Sequence, residues 1–369
     1  VLLLGFINIF LVLNMLKKKK TIIALSLIPQ VLLVKLLSNY PEFVEQYYSN
    51  GVYPVISKVF RFTLGWMPFS FGDLVYTFGG LYAIRWFYKN RKRLRKDTKN
   101  WLVDVFAAVA IIYGAFHLFW GLNYHRLPLH KSLNLARDYT TEQLVHVTKA
   151  LIKKSNTLHF EITKNDTIKA DIPFSKGDIF KMVPTGYTNL KKSFPHLAYT
   201  PKSLKKSLYS YPLTYMGFSG YLNPLTNEAQ VDGLIPVYKF PTTSAHEIAH
   251  QLGYAAENEA NFIGFLAITS HDNIYFRYTG YTFALRFCLN EIYRRDEALY
   301  ESIAESVNTG ILKNYKEVRE FWEAHKNPAE PLFKSFYGNF LKANKQSKGM
   351  KSYNYVVALI VNYFESKPL

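Results

Sequence analysis

His246, Glu247 and His250 form an H-E-x-x-H arrangement, the one place in the chain where residue types and spacing point to a defined reaction. On a helix the two histidines stand one turn apart on one face, separated by a rise of about 6 Å, so both imidazoles reach one zinc ion. Glu247 projects beside them, where a carboxylate takes a proton from metal-bound water. This is zinc-dependent hydrolysis, with Zn2+ the expected cofactor and Glu247 the expected general base. Three fixed positions recur by chance in long chains, so the setting matters. Pro241, followed by Thr242, Thr243 and Ser244, reads as a capped helix start, and Gly253 as the residue just past its end. Those limits define a helix of about ten residues.

Such a site needs a third protein ligand and leaves the fourth position to water. On an unbroken helix Glu257 would lie about 16 Å along the axis from His246, out of reach of the same ion. Gly253 permits a reversal, after which a second helix carries the ligand back. One face of that helix shows Glu257, Ala260, Asn261, Gly264 and Ala267, mostly small residues suited to close approach. Glu259 falls with Phe262, Ile263 and Leu266. Glu257 is therefore favoured as third ligand, with Glu259 as the alternative. Asn261, one turn beyond Glu257, stands where it orients a ligand imidazole.

H-E-x-x-H followed by Glu257-Asn-Glu259-Ala-Asn261 resembles the gluzincin group of zinc metallopeptidases. The second motif is most similar to the ImmA/IrrE-type proteins, and membrane-bound CAAX proteases and heat-shock peptidases have a related arrangement. The resemblance covers residues 241–268. It implies His246, His250 and Glu257 as ligands, Glu247 as catalytic base, and a protein or peptide substrate. Only six residues separate His250 from Glu257, fewer than in most gluzincins. Gly253 is placed as in metzincins, but Ala256 stands where their third histidine would be. As a whole, three N-terminal spans and a C-terminal H-E-x-x-H domain resemble an uncharacterised family of bacterial membrane proteins.

The elements that must position these residues divide at about residue 120. Residues 1–120 read as a membrane region with spans at about 21–37, 69–88 and 102–120. Trp101 and Trp120 flank the last span as interfacial aromatics. Lysines fill positions 17–20, and residues 89–99 carry seven basic side chains against one acidic; the loop 38–68 has only Lys58 and Arg61 against Glu42 and Glu45. The positive-inside rule then puts the N-terminus in the cytoplasm and everything after Trp120 outside, at a bacterial cytoplasmic membrane. Residues 1–14 read as an extension upstream of Met15. The net charge of +18 is largely spent in those two basic runs. With no nucleic-acid-binding motif to use the rest, the expected partners are substrate and lipid bilayer, with no nucleic acid.

Residues 121–369 read as an extracytoplasmic domain of α+β class, mostly helical and zincin-like. A capping box at Thr140 and Gln143 opens a helix. A proline-punctuated mixed region follows, then strands and turns over 216–240, then helices. Residues 234–240 are an expected edge strand for an extended peptide. Tyr281 and Tyr353 are candidate proton donors, and Cys288, in an apolar helical stretch, is a buried hydrophobe. The rival reading is a catalytically inactive membrane scaffold or binding protein that retains a metal site. Structural zinc sites usually close all four positions with protein ligands, which favours the enzyme.

Overall fold

A computed structural model describes residues 18–344, 355–365 and 367. Residues 1–14, Met15 and Tyr353 lie outside the described residues. At the centre is a pair of helices, α8 (Phe240–Gln251) and α9 (Glu257–Thr269), buried almost throughout. Pro241 sits in the first turn of α8, where its missing N–H costs nothing. Gly253, at φ +94°, takes the left-handed conformation that turns the chain back. Gly264 then lets α9 approach closely, since a Cβ there would stand 2.9 Å from the backbone nitrogen of His246. Helix α6 (Lys176–Leu190) packs on both members of the pair. Helices α10 (Ile274–Arg295) and α13 (Val356–Glu365) cover α9, and α5 (Thr141–Thr163) lies against both of these. Thr140 and Gln143 form the capping box of α5 in both directions, at 3.2 and 2.7 Å. Phe262, Phe265, Phe276 and Tyr278 fill the common core.

One small sheet abuts α8, with strands β1 (Leu204–Lys206), β2 (Gly220–Asn223) and β3 (Glu228–Val231) in the order β1-β3-β2. β1 runs parallel to β3; β2 is antiparallel, pairing Gly220 with Val231 and Asn223 with Glu228. The β2–β3 turn is fixed by Asn223, whose side-chain oxygen accepts from the backbone N–H groups of Leu225 and Thr226 at 3.0 and 3.2 Å. Residues 234–240, read as an edge strand, are instead a turn, a 3-10 segment at Val237–Lys239 and the start of α8. The edge beside α8 belongs to β2.

The α+β expectation is corrected by this architecture, which is mostly helical with one sheet of three short strands. Much of the proline-punctuated region is α6, with Pro184 buried inside the helix. Three membrane helices are corrected to two. Only α1 (Lys18–Leu37) and α4 (Thr98–Phe119) are long and apolar enough to cross a bilayer among the described residues. The second expected span, 69–88, is helix α3 (Phe71–Asn90), whose first turn is committed to the domain. There the fully buried carboxylate of Asp73 accepts from Ser207 Oγ at 3.0 Å, from the Leu208 N–H at 2.6 Å and from the Tyr221 hydroxyl. Beyond that turn Gly79, Gly80, Arg85 and Lys89 dilute the apolar run.

The two ends of this region differ in chemistry. At one end Asp104 accepts from Lys20 at 2.8 Å and from Arg93 at 3.0 Å, so the first helix and the basic loop meet there. At the other end the chain is built into the domain. Helix α2 (Tyr53–Leu64) sends the Tyr53 hydroxyl to the Gln251 carbonyl at 2.8 Å and Arg61 to the Pro201 carbonyl at 2.9 Å. Glu228 accepts from the Phe71 and Gly72 N–H groups at 3.1 and 2.5 Å, capping the start of α3.

Replacing Asp73 with Ala strands one buried donor, Ser207, at a cost of about 1–3 kcal/mol, and two partly buried ones, Leu208 and Tyr221, at less. Thermal unfolding of the detergent-purified protein should shift down by several degrees in Asp73→Ala; an unchanged midpoint would mean that this junction contributes nothing to stability.

Candidate metal centre

Helix α8 presents His246 and His250 one turn apart, their ring centroids separated by 4.6 Å. The reversal at Gly253 brings Glu257, the first residue of α9, back across them. Its Oε2 lies 3.2 Å from His246 Nε2 and 3.5 Å from His250 Nε2. One ligand atom from each of the three residues falls within 4.8 Å of the others. Glu259 points elsewhere. It is buried against the start of a short helix, where its carboxylate accepts from the Leu129 N–H at 2.7 Å near Arg126. Asn261, one turn beyond Glu257, is buried beside the His246 imidazole and lines the same cavity.

The ligand groups are held from behind. His250 Nδ1 donates to the Tyr254 carbonyl at 2.7 Å, which fixes the ring so that Nε2 is the nitrogen directed at the site. The Trp120 indole N–H donates to the His250 carbonyl at 3.0 Å, its ring edge-on to the imidazole. The Tyr337 hydroxyl, from helix α12 (Glu330–Ala343), donates to Glu257 Oε1 at 2.7 Å and leaves Oε2 facing the histidines. Two imidazole nitrogens and one carboxylate oxygen are the donors that Zn2+ takes in catalytic sites. Glu247 Oε2, next to them, is a buried oxygen with no hydrogen-bond partner among the described residues. The residues therefore fit a zinc ion with a fourth position toward the cavity.

Burial dominates the electrostatics. It pushes Glu247 up to about 8, against the pull of His250 and Lys239. Burial disfavours the charged form of Glu257 too, but His250 and hydrogen bonds from both imidazoles hold its carboxylate well below the usual range. That carboxylate in turn raises His250 to about 9 despite burial. Lys239, desolvated and near Arg286, is lowered to about 7. In front of these groups lies a cavity of about 610 Å³ with aromatic walls that include Trp120, Tyr124, Tyr337 and Phe340. Strand β2 forms another wall and comes close: a Cβ on Gly220 would stand 2.6 Å from Glu247 Oε1.

Other expectations fare differently. Tyr281 packs against Phe265 and Lys154, away from the cavity. Helix α8 begins at Phe240, so Thr242, Thr243 and Ser244 are buried within it and do not cap it. Thr242 Oγ1 donates to the Lys239 carbonyl at 3.0 Å. Tyr337, Tyr124 and Lys239 escaped the sequence reading. The available signal was the shared helical face of Tyr337, Phe340 and Leu341; no local motif marks the other two.

Elemental analysis of protein purified without chelators should find one zinc per chain. His246→Ala and His250→Ala should abolish it, and Glu257→Gln should weaken it, since an amide is a poorer ligand than a carboxylate. Glu259→Gln should keep the metal while losing stability. Zinc retained in Glu257→Gln and lost in Glu259→Gln would reverse the ligand assignment.

Residues 48–361 match the family described as Protein of unknown function (DUF3810). No curated protein and no solved structure matches the chain. With the metal centre and most of the helices that surround it inside the matched region, the chain belongs to the DUF3810 family.

Proposed function

We propose that this chain is a membrane-anchored zinc-dependent metallohydrolase, a peptidase in which Glu247 is the general base. The observation that carries the reading is the convergence of His246, His250 and Glu257 to within 4.8 Å, with Glu247 on the same helix beside them. Held by those three residues, Zn2+ supplies a Lewis acid that polarises a carbonyl and lowers the pKa of water to about 7. Glu247 moves the proton: its carboxylate, beside the three converging residues, accepts it from the attacking water and returns it to the leaving amine. Tyr337 and Trp120 keep Glu257 and His250 in place during that exchange. Lys239 and Tyr124 face the same cavity as donors for the oxygen on which charge develops.

A peptide substrate is favoured by β2, which pairs with β3 alone and lines the cavity through Gly220 and Tyr221. Its other edge offers main-chain groups to an extended chain beside Glu247. The anchoring follows from α1 and α4, both of which run from the basic end to the domain, with α3 carrying the chain back to the basic end between them. With the basic end cytoplasmic, the metal centre lies on the outer side of a bacterial cytoplasmic membrane.

Glu247→Gln should retain full zinc and lose about 10²-fold or more in rate. Incubation with a proteome-derived peptide mixture and mass spectrometry of new termini measures this; equal numbers of new termini from wild type and variant would end the enzyme reading. A reporter fused after Leu369 should be active only if it functions outside the cytoplasm, and activity of a strictly cytoplasmic reporter would reverse the topology.

A further inference from the structure

Helix α12 is apolar on two faces, and among the described residues the domain covers only one. The inner face carries Tyr337, Phe340 and Leu341, with Phe340 edge-on to Phe116 at 6.0 Å. The outer face carries Leu332, Phe333 and Phe336, within one turn of each other. Leu332 is 71% and Phe336 77% exposed. A helix bordering water would carry polar side chains there, and a contiguous apolar patch marks an interaction surface. The patch continues onto helix α7 (Ser210–Met216), which touches α12 and exposes Tyr211 and Tyr215.

The position of this patch says what covers it. Phe116 lies in the last turn of α4, whose 22 residues span about 33 Å, enough for a hydrocarbon core of roughly 30 Å. The end of α4 is thus at the bilayer surface, and α12 is in side-chain contact with it. At the far side of the patch, the Tyr209 hydroxyl, just before α7, donates to the Asp73 carbonyl in the first turn of α3 at 2.9 Å. Both margins are tied to helices that leave the domain toward the basic end.

We propose that the outer face of α12, continued by α7, lies in the interfacial layer of the anchoring bilayer, with Leu332, Phe333 and Phe336 at the boundary between headgroups and acyl chains. This rests on α4 crossing the membrane and is independent of the peptidase reading. The same helix presents Tyr337 to Glu257, so the lipid surface positions one wall of the metal cavity.

Cys288 is the sole cysteine and is fully buried, so an introduced cysteine takes a fluorophore alone. Phe336→Cys, Ile111→Cys on the exposed face of α4, and Asp171→Cys on the exposed domain surface are each labelled with an environment-sensitive dye in proteoliposomes. Zinc content and melting temperature confirm that each labelled protein is folded. The expected result is quenching by spin-labelled phosphatidylcholine at least about threefold stronger at 336 than at 171, with protection from aqueous iodide, as for a helix seated in the interface. Iodide quenching at 336 as strong as at 171 overturns the proposal. Protection from both quenchers means that a protein segment covers the face, and also overturns it. Loss of lipid quenching at 111 as well as 336 removes the membrane reading itself, and with it the proposal.

Discussion

Three ionisable ligand side chains share the middle of an apolar core, and the cost of desolvating them governs how the surrounding structure is built. An isolated carboxylate or imidazolium at that depth would be expelled or neutralised; here Glu257 and the two histidines answer one another across 3.2 and 3.5 Å. That mutual arrangement exists only because the chain reverses at Gly253 and because Gly264 lets the two helices close to backbone contact. The groups that surround the centre then take up some of the remaining polar atoms. Tyr337 meets the second oxygen of Glu257, and the Tyr254 carbonyl meets Nδ1 of His250. Glu247 Oε2 is among the buried polar atoms left without a hydrogen-bond partner among the described residues, as are His246 Nδ1 and Asn261 Nδ2.

The supports come from distant parts of the chain. Trp120 follows the last residue of α4, Tyr337 lies far beyond α8 and α9, and β2 precedes them. Long-range contacts of this kind are why the centre's environment was hard to read from local sequence. Polar groups at the domain end of the membrane region make contacts of the same kind. Asp73 and Glu228 are both wholly buried: Glu228 accepts from the Phe71 and Gly72 N–H groups next to Asp73, and Asp73 accepts from the Leu208 N–H just after β1, so that α3 and the sheet share one hydrogen-bonded junction.

What could be read from sequence was whatever depends on near neighbours. The one-turn spacing of His246 and His250, the reversal at Gly253, the small-residue face of α9, the capping box at Thr140 and the β2–β3 turn all rest on residues within a dozen positions of one another. The misreadings have tertiary causes. Residues 69–88 look like a span until Asp73 is seen to be claimed by Ser207, Leu208 and Tyr221. Pro184 reads as punctuation, yet packing holds it inside α6. Residues 234–240 alternate like a strand, but α8 begins at Phe240 and draws the segment into its first turn. Tyr337 was one tyrosine among 28, and nothing near it in sequence announces Glu257.

The end of α8 deserves a last consequence. A helix leaves its final carbonyls without intrahelical donors; those of His250 and Gln251 receive the Trp120 indole and the Tyr53 hydroxyl, and the Gly253 carbonyl just beyond the helix receives Arg126. The helix that carries both histidines is therefore capped in trans, by side chains from the segment that leads to and from the membrane. The N-terminal helices and the His246–His250–Glu257 cluster are in this sense one cooperative unit, and a cut after Trp120 would remove Trp120 and Tyr53 from the cap. A soluble fragment made that way would have to find water for carbonyls that the intact protein keeps dry, at the very turn that sets the position of Glu257.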